Sequence, residues 1–396
     1  MGELDRFDTV VIGNGLFGSA AARHLTALGE SVAVIGPDEP ADAAAHDGVF
    51  ASHYDEARLA RRFDRRPSWV EVTRRAMASY QALEKESGID FHHPVGALIS
   101  GPASDLEADT DDNPLPILRE RGIDHTLYQP GDRSWREAFP HLDLPTDFYV
   151  IHEPAPAGHI NPRRLIAAQN RVAQTRGAVI VREMVVKVDP GPSETVLTTG
   201  SGAEVRARKV LVASGAFTNF NGLLPEPLPL TIETEVVAFG RVSAADAGRL
   251  ASTPTVTHRI EDPVLDSIYM VPPVRYPDGH HYIKLGANTT SDLFPESLAE
   301  IQDWFRAGDS DFALPSFEAA LAGLWPDTVF LDFHSGRCIL CRTPSGDPII
   351  RPVADRVFVA AAGNGGGAKG SDMWGELAAG LVHDGRWPAD LPRFGG

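Results

Sequence analysis

DTVVIGNGLFGSAAARHLTALGESVAVIGPDEP, residues 8 to 40, decides the fold. Val10, Val11 and Ile12 form a short apolar run suited to a strand covered on both faces. Gly13, Gly15 and Gly18 follow in G-x-G-x-x-G spacing, with Asn14, Leu16 and Phe17 between them. The first glycine supports a tight turn, the second lets backbone approach a pyrophosphate, and the third lets a helix pack on the strand. The helix N-terminus beyond supplies free N–H groups for phosphate oxygens. A second strand, Ser31 to Ile35, completes the unit, and this context makes a chance glycine turn the minor alternative. The position ending that strand ordinarily carries Asp or Glu for the adenosine ribose hydroxyls. Gly36 stands there, and Asp38 is the expected substitute.

The surrounding 396 residues suffice for two domains. Hydrophobic residues at 43% and charged residues at 23% suit a globular chain. No apolar run approaches the roughly 20 residues that span a bilayer, and the start shows no signal-peptide pattern, so a cytoplasmic protein without membrane contact is expected. The net charge of −18 disfavours nucleic acid. Only five basic residues are lysine, namely Lys85, Lys187, Lys209, Lys284 and Lys369. Where arginine serves for ordinary surface charge, each lysine merits inspection. Lys284 stands between Ile283 and Leu285 in a strand-like run, where a solvated charge is not expected.

NAD and FAD share the fingerprint. RVFVAAAGNGGGAKGSDMWGELAAGLV, residues 356 to 382, repeats its grammar: a strand, a loop through Gly363, Gly366 and Gly367 to Lys369, then a helix. A second anion-friendly helix start suits a cofactor held at its ring as well as its diphosphate. A flexible glycine turn is the alternative. KVLVASGAFTN, residues 209 to 219, is a third strand ending in small residues, Ser214 and Gly215. Three such strand ends would meet at one edge of a parallel sheet, which favours FAD.

The chain resembles the FAD-dependent D-amino-acid oxidase-like family, within it the monomeric sarcosine oxidase and N-methyltryptophan oxidase group. The resemblance rests on residues 8 to 40, ASHYDEARLAR (51 to 61), IYMVPPVRYPDGHHYIKLGANTT (268 to 290), RCILCRTPSGDPII (337 to 350) and the loop ending in Lys369. It implies a Rossmann-like FAD domain, discontinuous in sequence (1–90, 155–225 and 325–396), with a mixed or antiparallel substrate-domain sheet (91–154 and 226–324). It further implies that Ser52, His53, Arg58 and Val186 contact the cofactor and that Arg61 and Lys369 grip a substrate carboxylate. By the same likeness Lys284 promotes reaction with oxygen, Tyr269 lines the active site, and Cys338 bonds covalently to the flavin. Arg337 or Arg342 would help lower the thiol pKa. Asn288 and Tyr54 replace two histidines of the family pattern, so the pocket wall differs.

The residues themselves leave the cysteine pair open. Cys338 and Cys341 are the chain's two cysteines. No Cys or His pair has zinc-finger spacing, so no metal site is expected. Two inert core cysteines remain an alternative to the anchor. DLEADTDDN, residues 105 to 113, reads as an acidic surface loop without calcium-loop spacing. The expected protein is therefore an α/β, two-domain, monomeric FAD enzyme. It takes hydride from a secondary or cyclic amine bearing a carboxylate and reduces O2 to hydrogen peroxide. A non-covalent dehydrogenase passing electrons to a partner and a non-catalytic flavin-binding protein are the other readings.

Overall fold

The computed structural model describes residues 6–108 and 113–395. Strand Arg6–Ile12 lies between Val32–Ile35 and Glu204–Val212, parallel to both, and Val357–Ala361 pairs parallel with the far side of Glu204–Val212. Strand alternation sends Val11, Val34, Leu211 and Ala360 toward helices Leu16–Ala27, Pro67–Ser87, Pro162–Thr175 and Ser371–Asp384. Val10, Ile12, Val210, Val212 and Val359 build a second apolar layer on the opposite face. This double burial explains the unbroken apolar runs read from the sequence. Antiparallel strands Val185–Pro190, Thr195–Thr199 and Ile349–Ala354 extend the sheet.

The fingerprint turn is built on contact rather than flexibility. Gly13 has φ +104°, and a Cβ there would lie 2.5 Å from the Ala213 carbonyl oxygen. A Cβ on Gly18 would lie 1.9 Å from the Gly13 carbonyl oxygen, so the first helix docks only without one. Because three neighbouring strands run parallel, Gly13, Ser214 and Gly363 emerge along one sheet edge.

The second large sheet orders its strands Asp332–Arg342, Thr231–Val242, His281–Thr289, Leu265–Arg275, Thr255–Arg259, Ala97–Pro102, Phe148–Glu153 and Thr126–Tyr128. All its neighbours are antiparallel except Thr255–Arg259 with Ala97–Pro102. One face packs against helices Leu298–Ala307 and Leu314–Leu324 through Val236, Ile283, Leu285, Ile268, Met270 and Ile339. Asp332–Arg342, expected among the nucleotide-binding segments, pairs along its whole length with Thr231–Val242. Arg58–Ala60, Gly158–Ile160 and His92–His93 form a third, small sheet.

The acidic loop is partly a helix. Ala103–Glu107 is helical, and buried Asp105 pairs with Arg259 at 3.0 Å, while residues 109–112 lie outside the described residues. Among the described residues, no helix is long and apolar enough to cross a membrane.

Candidate active site

A cavity of ≈ 420 Å³ runs from the first glycine turn, past Ser214 and the loop Gly363–Gly367, to the free face of the second sheet. Strand parity determines what that face presents. Ile339, Val236, Ala287 and Ile268 point into the helical core. Their neighbours Cys338, Glu235, Asn288 and Ser267 point the other way and line the cavity. The next rows on that face carry Gly286, Tyr269 and Thr257, then Lys284. Gly286 is required here, because a Cβ would lie 2.3 Å from the Tyr269 ring.

Lys284 is fully buried, and its Nζ donates to Asp55 Oδ2 at 2.5 Å. It sits 5.4 Å from the centre of the Tyr269 ring. It lies behind the cavity wall rather than in it. Burial, then the Arg58 charge, pushes its pKa well below that of a free lysine. Asp55 also forms an ion pair with Arg58 and accepts from the Tyr276 hydroxyl at 2.7 Å. One carboxylate therefore fixes both cations.

The other cation pair opens onto the cavity. Lys369 donates to Asp64 Oδ2 at 2.9 Å and to the Phe63 carbonyl at 3.0 Å. The Lys369 and Arg66 charges hold the Asp64 carboxyl well below the usual range in spite of its burial. Arg61 Nη1 donates to Thr257 Oγ1 at 2.6 Å, and among the described residues it has no carboxylate in salt-bridge contact. Burial lowers its pKa. A half-buried cation without a carboxylate in salt-bridge contact, beside a second cation, suits an anionic ligand.

At the wall, Asn288 donates to Glu233 (3.1 Å) and Asp292 (3.3 Å). Tyr54 stands edge-on to His53 and has its pKa pushed up to about 12 by burial. Burial, helped by Arg163 and Arg58, holds His53 down at about 3, so it is neutral near pH 7.

Several sequence expectations are corrected. Val186 is 41% exposed and turned outward, and its neighbour Val185 lines the cavity, because a one-residue step along a strand changes face. Asp38 pairs with Arg182 at 2.5 Å and lines an adjoining pocket that shares Asn14, Pro37 and His53 with this cavity, so its expected ribose contact is neither met nor overturned. An acidic side chain is also impossible at Gly36, where a Cβ would meet the Asn14 backbone nitrogen at 2.6 Å. Arg337 donates to the Gly308 carbonyl and Arg342 pairs with Glu233, so neither serves the Cys338 thiol. The cation beside that sulfur is Arg58, with Nη2 at 3.9 Å. Burial and Glu235 push the thiol pKa up rather than down.

Cys338 and Cys341 are both free. Three residues apart on one strand, they project to opposite faces, and Cys341 packs in the helical core with its sulfur 4.0 Å from the Gly215 carbonyl oxygen. Strand geometry thus excludes a joint metal site or a bond between them. Among the described residues no cluster of three or more metal-ligating side chains occurs. Sequence reasoning missed Asp55, Asp64, Glu235 and Thr257. Glu235 alone gave a signal, as an acid inside the apolar strand run TEVVAF.

The cavity suits FAD on its own features. Gly15 brings bare backbone to its floor, and the buried Asn14 Oδ1 has no hydrogen-bond partner among the described residues. The second glycine loop leads into helix Ser371–Asp384. In comparison with known proteins, the chain is 24% identical to the N-methyl-L-tryptophan oxidase of Yersinia pestis (strain Pestoides F) over 402 aligned positions, covering 98% of each chain. Its fold matches NikD, an unusual amino acid oxidase essential for nikkomycin biosynthesis, in the open form. The TM-score is 0.74 at 18% identity, over 99% of this chain and 98% of that one. It equally matches L-proline dehydrogenase from P. horikoshii, with TM-score 0.74 at 20% identity, over 99% and 96%. Residues 8–381 match the DAO family, so the glycine turn, the cavity and the cation pairs belong to a member of the DAO family of FAD-dependent oxidoreductases.

Proposed function

We propose that this chain oxidises the C–N bond of a small amine bearing a carboxylate, a secondary or cyclic amine, and that O2 is reduced to hydrogen peroxide. The carrying observation is Arg61: a half-buried guanidinium with no carboxylate in salt-bridge contact among the described residues, beside Lys369, opening onto the cavity that begins at the fingerprint turn. Bound there, FAD supplies the hydride acceptor and the reaction with oxygen. Gly13, Gly15, Ser214 and Gly363–Gly367 would hold it, with Cys338 bonded to it covalently. Arg61 and Lys369 hold the substrate carboxylate, which fixes the α C–N bond in one orientation. Tyr269 and Asn288 shape the wall. No strong base is needed if the amine binds neutral, since its lone pair drives hydride loss.

A panel of N-methyl, cyclic and D-amino acids, with their decarboxylated analogues, tests this reading under anaerobic conditions. Carboxylate-bearing secondary or cyclic amines should bleach the flavin absorbance, and peroxide should appear on aeration. Equal bleaching by the decarboxylated analogues would overturn the Arg61 assignment. One observation favours a second reading, a dehydrogenase passing electrons to a partner. Lys284 is held by Asp55 behind the wall. Bleaching without peroxide on aeration would select it.

A further inference from the structure

Glu235 is a buried carboxylate for which the proposed reaction has no use. It lies directly across the strand pair from Cys338, on the same face, and both border the cavity. It is 8% exposed. Among the described residues no cation lies within salt-bridge distance of it, because Arg58 and Lys284 both bind Asp55. Its titratable neighbours on that face are Cys338, directly opposite it, and Tyr269 in the next row. The charged and titratable groups facing it are Arg58, Tyr269, Lys284 and Cys338, with Asp55 and Tyr276 behind them.

Two neighbouring acids in a dry site do not both ionise readily, so ionising one holds the proton on the other. Burial raises the carboxyl pKa, which makes Glu235 a stronger acceptor than an exposed glutamate. Arg58 Nη2, 3.9 Å from Sγ, favours the thiolate as the proton leaves. Nucleophile, acceptor and cation thus occupy three adjacent positions.

We propose that Glu235 accepts the proton of the Cys338 thiol as the sulfur bonds to the 8α carbon of FAD. This rests on the covalent attachment read above. In the step, the S–H bond and one 8α C–H bond break and a C–S bond forms. The thiol proton passes to Glu235 and the carbon-bound proton to solvent. The two electrons remain in the ring system, which is thereby reduced, and dioxygen takes them up as hydrogen peroxide. The pair gives attachment a pH signature. Proton transfer inside a shared pair needs no hydroxide, so the rate stays level with pH, whereas a lone buried thiol gains about tenfold in thiolate per pH unit.

The test uses full-length apoprotein from a riboflavin-starved host, given FAD in air at pH 6 to 9. Attachment is followed by intact mass and by in-gel flavin fluorescence after denaturation, with Cys338→Ser as the blank. Wild type should attach at a nearly constant rate. Glu235→Gln should bind FAD but attach at least tenfold more slowly at pH 6, with the deficit closing as pH rises. A Glu235→Gln rate that follows the wild-type curve overturns the proposal and leaves the covalent reading intact. A wild-type chain that never attaches FAD overturns both. If Glu235→Gln binds no FAD, iodoacetamide alkylation of Cys338 in the apoproteins, mapped by peptide mass, supplies the same comparison. The wild-type rate should again be level over pH 6 to 8 and the variant rate should climb, and two parallel curves reject the proposal.

Discussion

Lys284 shows how far a single residue carries meaning from sequence to site. A lysine inside an apolar strand is legible as an anomaly, and the structure buries it completely against Asp55 and Tyr269. The resemblance implies that it promotes the reaction with oxygen, and its position behind the wall makes that reading testable. Replacing it by methionine keeps the volume and removes the charge, so anaerobic reduction by substrate should change only a few-fold. Reoxidation should slow about a hundredfold, since a fixed cation favours charge developing on oxygen. Stopped-flow traces of the two half-reactions decide it, and equal losses in both would remove Lys284 from the oxygen step. Asp55 was invisible beforehand because its role lies in what it holds: it is one acid among many until the fold brings Arg58, Tyr276 and Lys284 to it. Arg61 was equally illegible from spacing, buried in the basic run RLARRFDRR. Only the structure separates it from Arg62, which pairs with Glu153, and Arg66, which pairs with Asp64.

At the scale of elements, period-two alternation sorts the second sheet into a packed face and a chemical face. The strand Asp332–Arg342 carries one cysteine to each. Cys341→Ala should therefore keep flavin attached after denaturation and cost about 1–2 kcal/mol of stability, as a modest core deletion does. Cys338→Ala should release all its flavin on acid precipitation. Mass spectrometry of the two denatured variants checks both outcomes, and flavin retained by Cys338→Ala would refute the anchor. Gly286 gives a second element-scale consequence. An added Cβ must displace the Tyr269 ring, so Gly286→Ala should raise KM while FAD binding, read by absorbance, is unchanged. The elements themselves were largely legible: the strand, turn, helix and strand of residues 6–35 follow from short apolar runs and glycine spacing. Sheet membership was not. Asp332–Arg342 sits in sequence beside the last nucleotide-binding strand but pairs with a strand about a hundred residues earlier, and pairing across such a distance leaves no local trace.

Over the whole molecule, buried histidines set the response to acid. His159 and His258 are held neutral by burial, with pKa values pushed down to about 3 and about 4. Both leave a ring nitrogen without a partner. In the unfolded chain each returns to about 6.5. The unfolded state therefore binds more protons below pH 6.5, so their contribution is complete above that pH and is lost as pH falls toward the folded values. Asp64 and Asp372 have lowered pKa values and add their own loss only below the ordinary aspartate range. Glu235 acts in the opposite sense, its raised pKa favouring the folded state as pH falls, so the measurement is best made in Glu235→Gln as well. Between pH 7.5 and 5.5 each histidine withdraws up to about 1.4 kcal/mol. For a chain of this length two of them lower the unfolding midpoint by about 3 °C. Calorimetry of the FAD-loaded enzyme should show at least that drop, because burial holds His53 down at about 3 as well, and His258→Gln should show a drop smaller by about one histidine's share whatever its absolute stability. A His258→Gln slope identical to wild type would mean that this imidazole is protonated in the folded protein, contrary to its burial.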